Sequence, residues 1–205
     1  GFGAPGDDLV PLWRAVDLPG EVRWVFPAAP LALPAMGLGM ESRAWWMIDV
    51  AALERAMASG ALHDLSHEHP EGLDEARGHV LEMLAALDAE LAPSRLVLGG
   101  FSQGAMLALE AALHSERRLD GLVQLSGTLL NADEQAPRLP ARRGLRVLQS
   151  HGRADPILPY AMAEALRERL AAAGLEVDFV PFAGGHEIPP PVLGRLEAFL
   201  RRATE

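Results

Sequence analysis

Short apolar runs alternate along the chain with longer stretches in which apolar residues recur near the helical period. The short runs are rich in Val, Leu or Phe and end at Gly, Pro or charged residues, which is typical of strands. They are Glu21–Phe26, Arg95–Gly99, Gly121–Leu125, Leu145–Gln149 and Glu176–Phe182. The helical stretches are Asp7–Val16, Val50–Ala58, Leu73–Leu91, Gln103–His114, Tyr160–Ala173 and Pro191–Arg202. Strands that alternate with helices predict an α/β fold with a mostly parallel sheet.

One junction between a predicted strand and a predicted helix carries a Gly-x-Ser-x-Gly motif at residues 100–104. A strand that turns sharply into a helix holds its serine in a strained backbone conformation, and the positions two residues away must lack a side chain. The serine hydroxyl is then exposed at a helix N-terminus, where free N–H groups favour developing negative charge. The motif therefore predicts that Ser102 is a nucleophile. The alternative is a glycine-rich loop that packs a helix on a strand.

Two further loops that follow predicted strands supply a candidate acid and a candidate base. Asp155 follows the strand Leu145–Gln149, and His186 follows the strand Glu176–Phe182. Because the carboxyl ends of parallel strands lie at one edge of a sheet, Ser102, Asp155 and His186 are expected to meet there. Their order along the chain is the order found in hydrolases with this serine turn. His151 is a rival base, but its place four residues before Asp155 favours a role in shaping that loop.

Five segments give the sequence a resemblance to the bacterial carboxylesterase and acyl-protein thioesterase group, the phospholipase/carboxylesterase family. They are Gly-Phe-Ser-Gln-Gly at 100–104, His-Gly-x-x-Asp-x-x-x-Pro at 151–159, Gly-His-x-Ile at 185–188, Leu-Ser-Gly at 125–127 and Pro-x-Ala-Pro at 27–30. The resemblance implies an α/β-hydrolase fold, a three-layer sandwich with helices on both faces of the sheet. It also implies that Ser102 is the nucleophile, His186 the base and Asp155 the acid that orients the base.

The same resemblance implies an oxyanion hole formed by the backbone N–H groups of Phe2 and Gln103. In the family, a His-Gly-x-Gly segment follows the first strand, and the residue after its first glycine donates one N–H. Here Gly1-Phe2-Gly3 begins within that segment. We therefore expect one α/β-hydrolase domain over residues 1–205, whose first strand is missing from the sequence given.

An apolar, proline-containing region after the first predicted strand is the candidate wall of an acyl pocket. Its candidate residues are Leu31, Leu33, Met36, Leu38, Trp45 and Trp46. The alternative is that these side chains pack the core. His63, His67 and His69 have a spacing that could suggest zinc on a helix, but Pro70 follows at once and a solvated loop is expected. No cofactor and no metal are predicted.

Composition narrows the classes of function further. The chain has 205 residues, no cysteine and a formal net charge of −10, which excludes a thiol nucleophile and disfavours nucleic acid as a partner. No signal peptide or spanning segment is apparent, so a cytoplasmic location is expected. The predicted function is a serine esterase for small esters or thioesters of short to medium acyl length, with homodimer formation left open. The alternatives are an acyltransferase with the same triad and a non-catalytic binding protein with a hydrolase fold.

Overall fold

The computed structural model describes residues 1–34, 41–59 and 64–204. Within them the strands are β1 (Leu31–Leu33), β2 (Ser42–Ala44), β3 (Val97–Phe101), β4 (Gly121–Leu125), β5 (Arg146–Gly152) and β6 (Glu176–Phe182). The helices are α1 (Leu12–Ala15), α2 (Val50–Ser59), α3 (Leu73–Leu91), α4 (Gln103–His114), α5 (Ala132–Gln135), α6 (Tyr160–Ala172) and α7 (Pro190–Thr204), and a 3₁₀ turn covers Leu139–Arg142.

The main sheet has four parallel strands in the order β3-β4-β5-β6. Its register pairs Phe101 with Leu125, and Gly152 with Phe182, at the carboxyl ends of the strands. A parallel arrangement needs a crossover between neighbouring strands, and helices supply it after β3 and after β5. The loops that follow β3, β5 and β6 consequently lie along one edge of the sheet, as the sequence predicts.

Apolar side chains alternate between the two faces of this sheet because successive residues of a strand point in opposite directions. On one face, Leu122 and Val147 pack in a cluster with residues of α4 and α6. On the other face, Val123 and Leu148 pack in a cluster with residues of α7, among them Phe199. Helices therefore cover both faces, which confirms the predicted three-layer α/β arrangement.

The prediction of a strand at Glu21–Phe26 is wrong. The segment is not part of a strand in the structure, although the rings of Trp24 and Phe26 stack with centroids 5.8 Å apart. Apolar residues at every second position favour an extended backbone whose side chains point alternately to opposite faces. A strand also requires a neighbouring strand to which it is hydrogen-bonded. Among the described residues, this segment pairs with no strand.

The helix predicted over Asp7–Val16 shrinks to α1, and the residues before it form turns. Pro11 explains the difference, because proline has no N–H to donate and its ring clashes with the carbonyl four residues earlier. The structure also contains an antiparallel pair of short strands that the sequence did not predict, in which Leu33 of β1 lies opposite Ser42 of β2.

Candidate active site

Ser102 lies at the turn between β3 and α4, with φ 55° and ψ −120°. A residue with a side chain rarely adopts this region, which is open mainly to glycine. The N–H of Ser102 nevertheless continues the sheet by donating to the carbonyl of Leu125 at 2.9 Å. The strand thus ends in a strained residue at a helix N-terminus, which is the geometry expected of a nucleophile turn.

Gly100, the first glycine of the motif, allows the chain to turn this sharply, whereas a Cβ at Gly104 would meet only Nε1 of Trp45 at 3.9 Å. A Cβ added at Gly100 would clash with the carbonyl of Gly104 and would lie 2.7 Å from the backbone nitrogen of Ala105. Real Cβ atoms do not come that close to backbone atoms, so any side chain at position 100 would push the first turn of α4 away from β3. The glycine is therefore required by the turn that exposes Ser102.

His186 and Asp155 form a direct pair at the same edge of the sheet. The Nδ1 atom of His186 lies 2.7 Å from Oδ2 of Asp155, and the side chain of Asp155 is completely buried. The other carboxylate oxygen, Oδ1, accepts hydrogen bonds from the backbone N–H groups of Ile157 and Leu158, each at 2.9 Å. Three donors thus hold the carboxylate in one orientation.

These donors also keep the carboxyl group of Asp155 ionised. Burial by itself would raise the pKa of Asp155, but the hydrogen bonds from His186 and from the two backbone N–H groups outweigh burial and lower the pKa below the ordinary value of 3.8. An ionised carboxylate only accepts hydrogen bonds, so Nδ1 of His186 must carry the proton. In this tautomer the lone pair that accepts a proton is on Nε2, the atom that a general base uses.

His151, the rival base, lies at the end of strand β5 and not on the loop, where the sequence placed it. Its side chain is completely buried, and its Nε2 atom lies 2.8 Å from the carbonyl oxygen of Leu158 and 3.3 Å from Oδ2 of Asp155. Burial lowers the pKa of His151 below its ordinary value of 6.5. A neutral, enclosed imidazole that donates to a backbone carbonyl cannot reach a substrate, which favours His186 as the base.

The loops that carry Asp155 and His186 are joined through backbone contacts. Arg153 donates its N–H to the carbonyl of Phe182 at 2.8 Å, and Ala154 donates to the carbonyl of Gly184 at 2.9 Å. A Cβ added at Gly152 would lie 2.9 Å from the carbonyl carbon of Gly184. The absence of a side chain at Gly152 therefore allows the two loops to approach closely enough for the acid to contact the base.

The base also lies beside the nucleophile turn. The ring of His186 contacts the ring of Phe101, the residue before Ser102, with centroids 4.8 Å apart. Within the described residues, the hydroxyl of Ser102 makes no hydrogen bond to His186. Asp155 thus contacts His186, and His186 lies next to the turn that carries Ser102. The contact between Ser102 and His186 stays a prediction. In hydrolases, such contacts often tighten only when the substrate is bound.

Two backbone N–H groups near Ser102 are free to bind an oxyanion. The N-terminal segment reaches the site, because a Cβ added at Gly1 would lie 3.6 Å from Cβ of Ser102. In the part of the chain that the structure describes, the N–H groups of Phe2 and Gln103 have no hydrogen-bond acceptor. Gln103 is the first residue of α4, where N–H groups have no partner within the helix, so both N–H groups are available for the predicted oxyanion hole.

The predicted acyl wall divides into residues with different surroundings. Trp46 is 2% exposed and packs in a core cluster with residues of α3 and α4, which corrects its assignment to the pocket wall. Trp45 is half-buried, and its Nε1 atom would lie 3.9 Å from a Cβ added at Gly104. Leu33 is half-buried in β1. Met36 and Leu38 lie outside the described residues.

The histidine-rich segment has ion-pair partners on the surface. His67 lies 3.1 Å from Asp133, and His69 lies 3.4 Å from both Asp74 and Glu134. His63 lies outside the described residues. Over residues 1–34, 41–59 and 64–204, no three metal-binding side chains are grouped closely enough to hold an ion. Within the same residues, no helix has the length and apolar character needed to span a bilayer.

The sheet order, the strained serine after β3 and the acid–base pair after β5 and β6 together define an α/β-hydrolase. More narrowly, residues 1–204 match the family model described as phospholipase/carboxylesterase, so the chain belongs to that family and is a hydrolase.

Known proteins agree with this assignment. The chain is 31% identical over 200 residues to acyl-protein thioesterase 1 of Gibberella zeae, with 93% of this chain and 80% of that protein covered. Among solved structures, acyl-protein thioesterase 2 of Zea mays is 26% identical with a TM-score of 0.72, covering 100% of this chain and 91% of that one. Arabidopsis thaliana SOBER1 is 24% identical with a TM-score of 0.78, covers 100% and 96%, and supports the fold. These relatives are fungal and plant proteins, so they do not support the expectation that the chain resembles bacterial members of the group in particular.

Proposed function

We propose that this hydrolase cleaves carboxylic esters and thioesters through a covalent acyl-enzyme formed on Ser102. The observation that carries the proposal is the 2.7 Å contact between Nδ1 of His186 and the buried carboxylate of Asp155. This contact fixes the imidazole in the tautomer that leaves Nε2 free to accept a proton. It lies beside a serine whose backbone is held in a strained conformation at a helix N-terminus.

In the first half of the reaction, Oγ of Ser102 attacks the carbonyl carbon of the ester while its proton passes to Nε2 of His186. The π electrons of the carbonyl move to its oxygen, and the N–H groups of Phe2 and Gln103 stabilise the resulting oxyanion. The oxyanion then collapses and breaks the bond to the leaving alcohol or thiol, which takes the proton from His186. Asp155 stabilises the imidazolium throughout but stays ionised itself.

In the second half, His186 removes a proton from water, and the hydroxyl attacks the acyl carbon. The second oxyanion collapses, Ser102 leaves with the proton from His186, and the carboxylic acid is released. Every proton that moves is carried by His186, so this sequence of steps requires no cofactor.

The proposed substrates are esters and thioesters with short to medium acyl chains. Trp45 offers half-buried apolar surface close to the nucleophile turn, and half-buried Leu33 of β1 is the other described candidate for the acyl wall. Each CH₂ group that such surface buries contributes about 0.8 kcal/mol. The thioester half of the proposal takes its support from the relatives, which are named as acyl-protein thioesterases. The net charge of −10 disfavours strongly anionic substrates.

Labelling with a fluorophosphonate probe tests the proposal, since the probe reacts with an activated serine. Wild type and Ser115→Ala should label equally, because Ser115 lies at the far end of α4 from the site. Ser102→Ala should take up no label and should lose hydrolysis of p-nitrophenyl esters. Labelling of Ser102→Ala at the wild-type rate would place the nucleophile elsewhere.

A further inference from the structure

We propose that the side-chain amide of Gln103 positions the oxyanion hole by holding its two N–H donors at a fixed separation. The inference rests on the proposed function, and it adds a positioning role for a side chain whose backbone N–H is one of the donors. The side chain of Gln103 is 2% exposed although it is polar, so its amide must find partners inside the protein.

The amide of Gln103 binds one short stretch of backbone with both of its ends. Its Oε1 atom accepts a hydrogen bond from the N–H of Trp45 at 2.9 Å, and its Nε2 atom donates to the carbonyl of Trp46 at 2.9 Å. Two bonds to neighbouring residues fix both the distance and the orientation of that backbone, whereas one bond would allow it to rotate. The stretch 45–46 is thus attached to the first residue of α4.

This stretch follows directly on β2, and β2 holds the segment that contains Phe2. Gly3 donates its N–H to the carbonyl of Arg43 at 2.8 Å, and Arg43 donates its N–H to the carbonyl of Ala4 at 3.0 Å. The hydroxyl of Ser42 adds a third bond, to the carbonyl of Gly3 at 2.9 Å. Residues 3 and 4 are therefore bonded to β2, and the two residues that follow β2 are bonded to Gln103.

Hydrogen bonds and short stretches of backbone consequently connect the two residues whose N–H groups are the proposed donors. The connection runs from Gln103 through 45–46 and β2 to residues 3–4, and so to Phe2. Oxyanion donors stabilise a transition state when they lie about 2.7–3.1 Å from the position where the negative charge develops. Loss of the amide should therefore displace the Phe2 donor relative to the Gln103 donor and weaken binding of the oxyanion more than binding of the substrate.

Substitutions of this side chain leave the backbone N–H of residue 103 in place, so they test the connection alone. Gln103→Met keeps the length of the side chain but removes both hydrogen bonds. We expect kcat to fall by about tenfold or more, somewhat less than the roughly hundredfold to thousandfold loss that follows removal of a whole oxyanion donor, with KM changed less than about twofold. Gln103→Glu keeps the acceptor for Trp45, and it carries the test if Gln103→Met does not fold.

Gln135→Met is a matched control. Gln135 is 1% exposed and donates from Nε2 to Oε1 of Glu110 at 2.8 Å, about two turns along α4 from the site. Its loss should lower the melting temperature as a buried hydrogen bond does, but it should leave kcat per folded molecule unchanged.

The readout that separates positioning from general stability is the affinity of a trifluoromethyl ketone, because it adds Ser102 and places an oxyanion in the hole. In Gln103→Met, its inhibition constant should rise by the factor by which kcat falls, while that of an unreactive amide analogue should stay constant. An unchanged ketone affinity, or the same kcat as Gln135→Met per folded molecule, would overturn the role of Gln103. Activity retained by Ser102→Ala would instead overturn the proposed function.

Discussion

The backbone conformation that exposes the hydroxyl of Ser102 is unfavourable for any residue that has a side chain. Its φ of 55° with ψ of −120° lies in a region that costs about 1–3 kcal/mol for a residue other than glycine. Strain of this kind persists only where the surroundings impose it. Here the pairing of Ser102 with Leu125 and the approach of Gly100 to Gly104 impose it.

Because the backbone at position 102 is strained, two inactive variants at this position should differ in stability. Ser102→Gly should be more stable than Ser102→Ala by about 1 kcal/mol, because glycine adopts this conformation without a steric penalty. Both variants should be inactive, since neither has a hydroxyl. Urea denaturation of the two variants measures the difference. Equal stability of the two variants would mean that the turn stores no strain.

At the scale of elements, the regular pattern of the chain predicts the main sheet well. The bounds predicted for Gly121–Leu125, Glu176–Phe182, Leu73–Leu91 and Gln103–His114 are those of β4, β6, α3 and α4. These segments bury a periodic set of apolar side chains, and their ends carry glycine, proline or charge. The post-strand positions of Asp155 and His186 follow from the same pattern, which explains why the sequence could predict their contact.

Other features depend on contacts between residues that are far apart in the sequence. The segment Glu21–Phe26 has the pattern of a strand but no strand partner in the described part of the chain. The connection made by Gln103 joins residues that are 57 and 58 positions apart, and no local pattern indicates it. Trp45 and Trp46 are chemically identical neighbours that both pack against α3 and α4, and only the structure shows that Trp46 is fully buried there while Trp45 is half-buried.

The β1–β2 pair supplies a prediction on acyl-chain selectivity. If Leu33 forms part of the acyl wall, Leu33→Ala should move the peak of p-nitrophenyl ester hydrolysis to longer acyl chains, because the wall is met later. Leu31→Ala is the control. Leu31 was a candidate for the wall as well, but it is 39% exposed in the same strand, so its truncation should leave the peak in place. The chain-length profile of kcat/KM for both variants and wild type measures the effect. A peak that stays in place while all rates fall together would assign Leu33 to packing.

At the scale of the whole molecule, the buried acid–base cluster should govern acid stability. The folded-state pKa of His151 is lowered below 6.5, mainly by burial, so the unfolded chain binds more protons below that pH. Its contribution to stability is complete above about pH 6.5 and is lost as the pH falls towards the lowered pKa. Asp155 contributes stability that is complete above about pH 3.8 and is lost as the pH falls through its own lowered pKa.

This order of titration predicts that acid unfolding begins with His151. The free energy of unfolding, measured in urea from pH 8 to pH 4, should decline below pH 6.5 in wild type. His151→Gln should show a flatter profile between pH 6.5 and pH 4, because its amide does not titrate. His67→Asn is the control, since the side chain of His67 is 75% exposed, and its profile should follow wild type. A profile for His151→Gln that is as steep as wild type would assign the decline to other groups.

Trapping the covalent intermediate decides whether Ser102 is the nucleophile on which the whole arrangement depends. Wild-type protein is mixed with p-nitrophenyl butyrate, quenched in acid before the first turnover is complete, and digested for mass spectrometry. We expect one butyryl group on the peptide that contains Ser102, formed at the rate of the p-nitrophenol burst, and no such group in Ser102→Ala. A butyryl group on another residue, formed at the rate of the burst, would contradict Ser102 as the nucleophile.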